Sequence, residues 1–133
     1  MSKLGCICGN VIIDQTDNVA YKAKFLRDQD LDSYSNYLID IDSFLDAVKN
    51  GNREKWLSEY FSPIYPVNIL DSSIIFDIIG KYEIEYEGEL YQCENCGRLK
   101  VQVQDQNLFA SFIPEDKNYT DIFKRFKPIK NVS

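Results

Sequence analysis

Tyr91-Gln92-Cys93-Glu94-Asn95-Cys96-Gly97-Arg98-Leu99 decides how this chain folds, because it answers a second thiol pair far upstream, Cys6-Ile7-Cys8-Gly9-Asn10. The two segments hold all 4 cysteines, and each pair runs directly into a glycine. A backbone that turns two thiolates toward one metal must bend sharply, and glycine reaches positive φ without a Cβ clash. Four thiolates complete the tetrahedral shell of a closed structural zinc site. Cys6, Cys8, Cys93 and Cys96 are therefore expected to bind one structural Zn2+. Buried core thiols, paired disulfides and a redox C-x-x-C are the competing arrangements. Core singletons do not account for two short-spaced pairs. Disulfides suit secreted chains, and a redox pair has no use for the second knuckle. A catalytic zinc keeps an open coordination position, whereas here every ligand is a thiolate and the chain has no histidine.

Length and charge narrow the class. A chain of 133 residues fits one domain, 1–133, long enough to bury a core. At 44% hydrophobic and 14% aromatic it is not a disordered composition. The balance is acidic, 21 Asp and Glu against 15 Lys and Arg. Four thiolates around one divalent ion would make it more so. Such a surface disfavours nonspecific nucleic-acid binding and anionic membranes, and favours a basic protein partner. The start, Met1 to Cys6, lacks an apolar secretory core, and no apolar run reaches membrane-spanning length. A cytoplasmic protein is expected, where thiols stay reduced.

Along the chain, Leu4 to Cys6 and Val11 to Ile13 read as short strands flanking the first knuckle, residues 6–9. Tyr21 to Phe25 alternates apolar and basic, the period-two mark of a half-buried strand. A long helix follows. Leu31, Tyr34, Leu38, Ile41, Leu45 and Val48 recur at three and four and are expected to form its core stripe, joined by Tyr37 and Phe44. Asp30 or Asp32 is placed to cap its start, and Asn50-Gly51 to end it. A second helix spans roughly Arg53 to Phe61 before Ser62-Pro63. Ser72 to Lys81 fits either a buried strand or a helix capped by Asp71, Ser72 or Ser73; the helix is favoured. From Tyr82 the alternation of Ile84, Tyr86 and Leu90 with glutamates predicts strands, with Glu87-Gly88 as a hairpin turn. Strands are expected at 89–92 and 98–104 around the second knuckle, residues 93–97, and again at 108–113. A short helix capped by Asn118 closes the chain through Phe126. The fold is thus α+β: a four-cysteine, zinc-ribbon-like antiparallel sheet with a helical insertion, about residues 31–81, between the knuckles.

Three charged constellations remain. The polar side of the long helix gathers Asp32, Ser35, Asp42, Ser43 and Asp46 around Ile39. It reads as a docking patch with one apolar anchor and an acidic rim, or as an ordinary solvated face. Glu83, Glu85, Glu87, Glu89 and Glu94 form a second acidic concentration, expected largely on one strand face. Lys117, Lys124, Arg125, Lys127 and Lys130 make the last stretch basic, with interleaved aromatics; it reads as a nucleic-acid contact or, the favoured alternative, as a helix that those aromatics dock. No histidine, nucleophile signature or phosphate loop marks an enzyme, so none is expected.

Cys6-Ile7-Cys8-Gly9 with Cys93-Glu94-Asn95-Cys96-Gly97-Arg98-Leu99 resembles a zinc-ribbon pair, covering about the first 13 and the last 50 residues. In its small size, acidity and lack of catalytic residues the chain also resembles the immunity proteins of bacterial polymorphic and contact-dependent toxin systems. That resemblance implies a non-catalytic inhibitor that occludes a cognate basic toxin domain, commonly a nuclease. The expected contact residues are Asp32, Ile39, Asp42, Asp46, Glu85 and Glu87. The alternative is a zinc-ribbon nucleic-acid-binding module of transcription or translation.

Overall fold

Strands β1 (Ser2–Gly5) and β2 (Val11–Asp14) pair antiparallel from Ser2↔Asp14 to Gly5↔Val11, so their connection is the first knuckle. The computed structural model describes residues 2–14, 17–116 and 119–126. The chain packs as two units, Met1–Phe25 with Gly88–Ser133, and Leu26–Glu87. Both knuckles lie in the first unit. Its second sheet runs β3 (Lys22–Leu26), β4 (Glu87–Gln92), β5 (Leu99–Gln102) and β6 (Phe109–Phe112), in that order. β4 and β5 pair antiparallel through Tyr91↔Lys100, and β5 and β6 through Lys100↔Ser111, so the β4–β5 connection is the second knuckle. Gly88 is buried against the Phe25 ring, which occupies the space a Cβ would need.

Alternation in β4 sends Glu89 and Tyr91 to one face and Leu90 and Gln92 to the other. Tyr91 and Ile12 are buried with Cys6 and Cys93, flanked by Leu4, Tyr21, Cys96 and Phe109. A polar network locks the β1–β2 ribbon over Tyr91. Its hydroxyl reaches Asp14 at 2.6 Å, Lys22 bonds Asp14 at 2.6 Å and lies 3.5 Å from Glu89, and Tyr21 donates to the Ile13 carbonyl. Hydrogen bonding from Lys22, then Tyr91, holds the Asp14 carboxyl below its usual range.

The second unit is helical: α1 (Leu31–Ser35), α2 (Tyr37–Lys49), α3 (Arg53–Tyr60) and α4 (Asp71–Tyr86). Its centre is Phe44, Leu57, Ile74 and Ile78, all fully buried. Each such side chain contributes roughly 1.5–3 kcal/mol. Trp56 stacks on Tyr60 at 4.4 Å and Phe61 on Tyr65 at 4.1 Å. Arg53 bonds Asp71 at 2.9 Å and the carbonyls of Val67 and Ile69 at 2.5 and 2.7 Å, tying the start of α3 to the linker before α4.

Several sequence expectations are corrected here. The long helix is interrupted at Asn36, and Asp30 stands at the N-cap of α1 without a capping hydrogen bond, its carboxylate 3.8 Å from Arg27 instead. The core-facing stripe is Phe44, fully buried, with Tyr37, Ile41 and Val48 half-buried beside it, whereas Leu31, Leu38 and Leu45 are exposed. Phe44 packs on Trp56 of α3 and Tyr37 on Tyr82 of α4, and Asp40 anchors that orientation by accepting hydrogen bonds from Tyr60 (2.6 Å) and Tyr82 (2.7 Å). Residues 72–81 are helical, and α4 continues through Tyr86, so 82–86 are not a strand and Glu87-Gly88 opens β4 instead of turning a hairpin. The N-cap of α4 is Leu70, not an Asp or Ser. Residues 119–126 form turns and bends without a helix, and its expected cap, Asn118, lies outside the described residues. The Asn50-Gly51 stop holds: Gly51 sits at φ +74°, and Asn52 N–H reaches back to the Ala47 carbonyl at 2.8 Å.

The tyrosine–carboxylate pairs make the helical unit sensitive to alkali. Burial, with hydrogen bonding to Glu87, Asp77 and Asp40 respectively, pushes Tyr34, Tyr65 and Tyr82 each up to about 12. A folded value above the unfolded one, about 10, gives stability that is complete below pH 10 and lost as pH rises toward 12. The denaturant midpoint is therefore expected to fall as pH rises from 10 to 12, while these tyrosines stay protonated in the folded protein until pH nears 12. In Asp40→Asn, which relieves the charge beside Tyr60 and Tyr82, tyrosinate should form at lower pH.

Candidate metal centre

The two knuckles repeat one local geometry. In the first, Cys6 N–H bonds the Asn10 carbonyl and Gly9 N–H bonds the Cys6 carbonyl, both at 2.9 Å. In the second, Cys93 N–H bonds the Arg98 carbonyl at 2.9 Å and Gly97 N–H bonds the Cys93 carbonyl at 2.8 Å. Each turn closes through a left-handed glycine, Gly9 at φ +99° and Gly97 at φ +81°. Only glycine takes up these conformations without strain, which is why a glycine follows each thiol pair.

Folding the ribbon onto the sheet brings all four sulfurs together. The Sγ atoms of Cys6, Cys8, Cys93 and Cys96 lie within 4.8 Å of one another, and all four are free thiols. Cys6 and Cys96 are 3.5 Å apart across the knuckles, as are Cys8 and Cys93. A tetrahedral shell with metal–sulfur bonds of about 2.3 Å places its sulfurs about 3.8 Å apart. The four ligand atoms thus form a zinc-ribbon-like cluster that can hold a metal ion. Cys6 and Cys93 are buried and Cys8 is exposed, so the inner side of the site is sealed by the Ile12–Tyr91 core.

Three side chains complete the surroundings. Asn10 donates to Cys93 at 3.5 Å, Asn95 to Cys8 at 3.4 Å and the Arg98 guanidinium to Cys96 at 3.3 Å. These donors stabilise sulfur in its charged form. The Asn95 amide, followed by the Asn10 backbone N–H, lowers the Cys8 thiol to about 6. At Cys96 burial works upward, but donation from the Arg98 backbone and side chain outweighs it and the thiol is lowered. Burial raises Cys6. Sequence reading passed over Asn10, Asn95 and Arg98, although each lies within two residues of a ligand in its knuckle, where second-layer donors belong.

Behind the second knuckle, Gln92 is 1% exposed and fully satisfied. Its amide donates to the carbonyls of Gly97 (3.1 Å) and Tyr119 (2.9 Å), and its carbonyl accepts from Ile122 N–H (2.9 Å). Residues 119–122 are thereby strapped across Gly97.

Residues 2–116 match the family described as Domain of unknown function (DUF8617). The chain belongs to the DUF8617 family. The match takes in both knuckles and every helix among the described residues, so the cysteine cluster is part of the DUF8617 domain itself. No curated protein and no solved structure matches the chain.

The other predicted site residues lie elsewhere in this DUF8617 domain. Asp32, Ile39, Asp42 and Asp46 are all exposed on α1 and α2. Glu85 is exposed near the end of α4, and Glu87, half-buried at the start of β4, accepts a hydrogen bond from Tyr34 at 3.1 Å. Because α4 runs through Tyr86, Glu83 and Glu85 do not share a strand face with Glu89. Of the basic stretch, Lys124 and Arg125 are exposed, and Lys117, Lys127 and Lys130 lie outside the described residues. No helix among the described residues is long and apolar enough to cross a membrane.

Proposed function

We propose that this DUF8617 protein is a non-catalytic, protein-binding inhibitor. In this reading it is stapled by one structural Zn2+ and neutralises a basic partner by occlusion. The observation that carries the reading is the exposed face of α1 and α2, where Asp32, Asp42 and Asp46 surround Ile39, itself 65% exposed. An apolar anchor within a charged rim is the pattern of a protein-docking hot spot, and an acidic rim both steers and selects a cationic surface. The overall charge of −6 acts in the same direction. Zinc is favoured over other metals because the donor set is four clustered thiols, the composition of a closed tetrahedral zinc site. The resemblance to immunity proteins makes a cognate toxin domain with a basic substrate-binding surface the partner of choice, met in the cytoplasm where thiols remain reduced.

The test is affinity capture of the tagged protein from its native cells, with metal and partner both identified by mass spectrometry. One stoichiometric basic protein and one zinc per chain are expected. Asp42→Lys with Asp46→Lys should release the partner and flatten the salt dependence of association. Capture of RNA, DNA or ribosomal and transcription components instead, unaffected by those substitutions, would overturn the proposal.

A further inference from the structure

Resting on that reading, we infer that the partner element seated on this face is a basic amphipathic helix of a second protein, about two heptads long. The same rotation that faces Tyr37, Ile41, Phe44 and Val48 to the core turns Leu31, Leu38 and Leu45 outward, at 47%, 54% and 40% exposure. They recur every seven residues, a spacing at which a helical row drifts only about 20° per repeat. The break at Asn36 leaves the row close to in phase, because Asn36 keeps near-helical angles (φ −64°, ψ −11°) and a tightened turn carries its carbonyl to Ile39 N–H at 3.0 Å. From residue 31 to 45 it runs about 21 Å, or four turns.

A straight row of leucines at heptad spacing is the surface that an opposing helix meets with its own apolar knobs. An extended peptide gains most of its affinity from a free strand edge, which a helix face does not offer. Charge then selects the kind of helix. At 100° per residue, Asp42 falls immediately beside the leucines, and Asp46, Ile39 and Asp32 follow further round on the same side. Lys49 is the one cation of α1 and α2, and it stands at the end of the row. A helix laid on the leucines therefore places the flanking positions on that side against carboxylates, so Lys or Arg there is attracted and Glu is repelled. That asymmetry argues against a second copy of this acidic chain as the occupant.

The experiment titrates the full-length, metal-loaded protein into two labelled designed helical peptides, read by fluorescence anisotropy. Both have two heptads with leucine at the a and d positions; one carries lysine and the other glutamate at e and g. The lysine peptide is expected to bind at least tenfold more tightly than the glutamate peptide. Leu38→Ser with Leu45→Ser, in protein shown by circular dichroism to remain folded, should weaken that binding at least tenfold. Asp42→Lys with Asp46→Lys should reverse the preference. Equal binding of the two peptides, no binding of either, or binding indifferent to the leucines would each overturn the helix assignment. So would sedimentation showing a dimer that the double serine variant dissolves. If the captured native partner still depends on Asp42 and Asp46 while the peptides do not bind, the docking reading stands and only its helical occupant falls.

Discussion

Stripping the metal from the cysteine cluster is expected to abolish cooperative folding of the sheet unit. Structural zinc contributes apparent binding energy on the order of 10–16 kcal/mol in small thiolate sites, against total domain stabilities of about 5–15 kcal/mol. The core of this unit is short. Its buried residues around Tyr91 and Ile12 include Cys6 and Cys93 themselves, so removing the ion both frees four thiolates to repel and opens the cluster that encloses them. Chelation should remove hydrogen-exchange protection from β1, β2, β4 and β5 before it affects α2 and α4, whose core of Phe44, Leu57, Ile74 and Ile78 contains no ligand. Cys93→Ser, at a fully buried position, should be more damaging than Cys8→Ser at an exposed one. An unchanged melting profile after complete metal removal would contradict a structural role.

Gly97→Ala is the second large effect. The residue sits at φ +81°, and a Cβ there would lie 2.6 Å from the Tyr119 carbonyl oxygen and 3.2 Å from Pro114. Backbone strain of this kind costs about 1–3 kcal/mol, and the collision adds to it, because the Tyr119 carbonyl is pinned by Gln92. A total loss above about 3 kcal/mol is expected in denaturant titrations of the metal-loaded protein. Gly9→Ala supplies the comparison. It has φ +99° but nothing within 4 Å, so it should show the strain alone. Equal losses for the two variants would mean that the strap over Gly97 yields without cost.

The cysteine cluster was legible because its signal is local: two short-spaced thiol pairs, each with the glycine its turn requires. The strands beside the knuckles, the helix from Arg53 and the Asn50-Gly51 stop were legible for the same reason. The long helix was not, because apolar residues at 31, 34, 37, 38, 39, 41, 44, 45 and 48 cover more than half its circumference. A pattern that broad fixes no single buried face. The choice falls to tertiary contacts such as Trp56 against Phe44 at 5.2 Å and the two tyrosines on Asp40. Residues 82–86 misled for a related reason. Their alternation of glutamate with Ile84 and Tyr86 satisfies a strand period, but Tyr82 meets Asp40, and Tyr86 stacks on Tyr82 at 6.2 Å, only with the helix continued. The strap at 119–122 depends on one buried glutamine, which composition alone marks as a surface residue.

The 84 residues that separate Cys8 from Cys93 also set an order of events in the making of the protein. Cys6 and Cys8 leave the ribosome first and have no complete ligand set until Cys96 has followed. Through that interval the helices are synthesised with their own core residues all in hand, while the first knuckle waits as an open two-thiol site. Closing a loop of this length costs entropy that grows only with the logarithm of its span, and helices already folded shorten the distance the chain must search. A filled metal site is therefore a record that translation has passed Cys96, and a chain arrested earlier carries a bare pair of thiols for redox and quality-control systems to find.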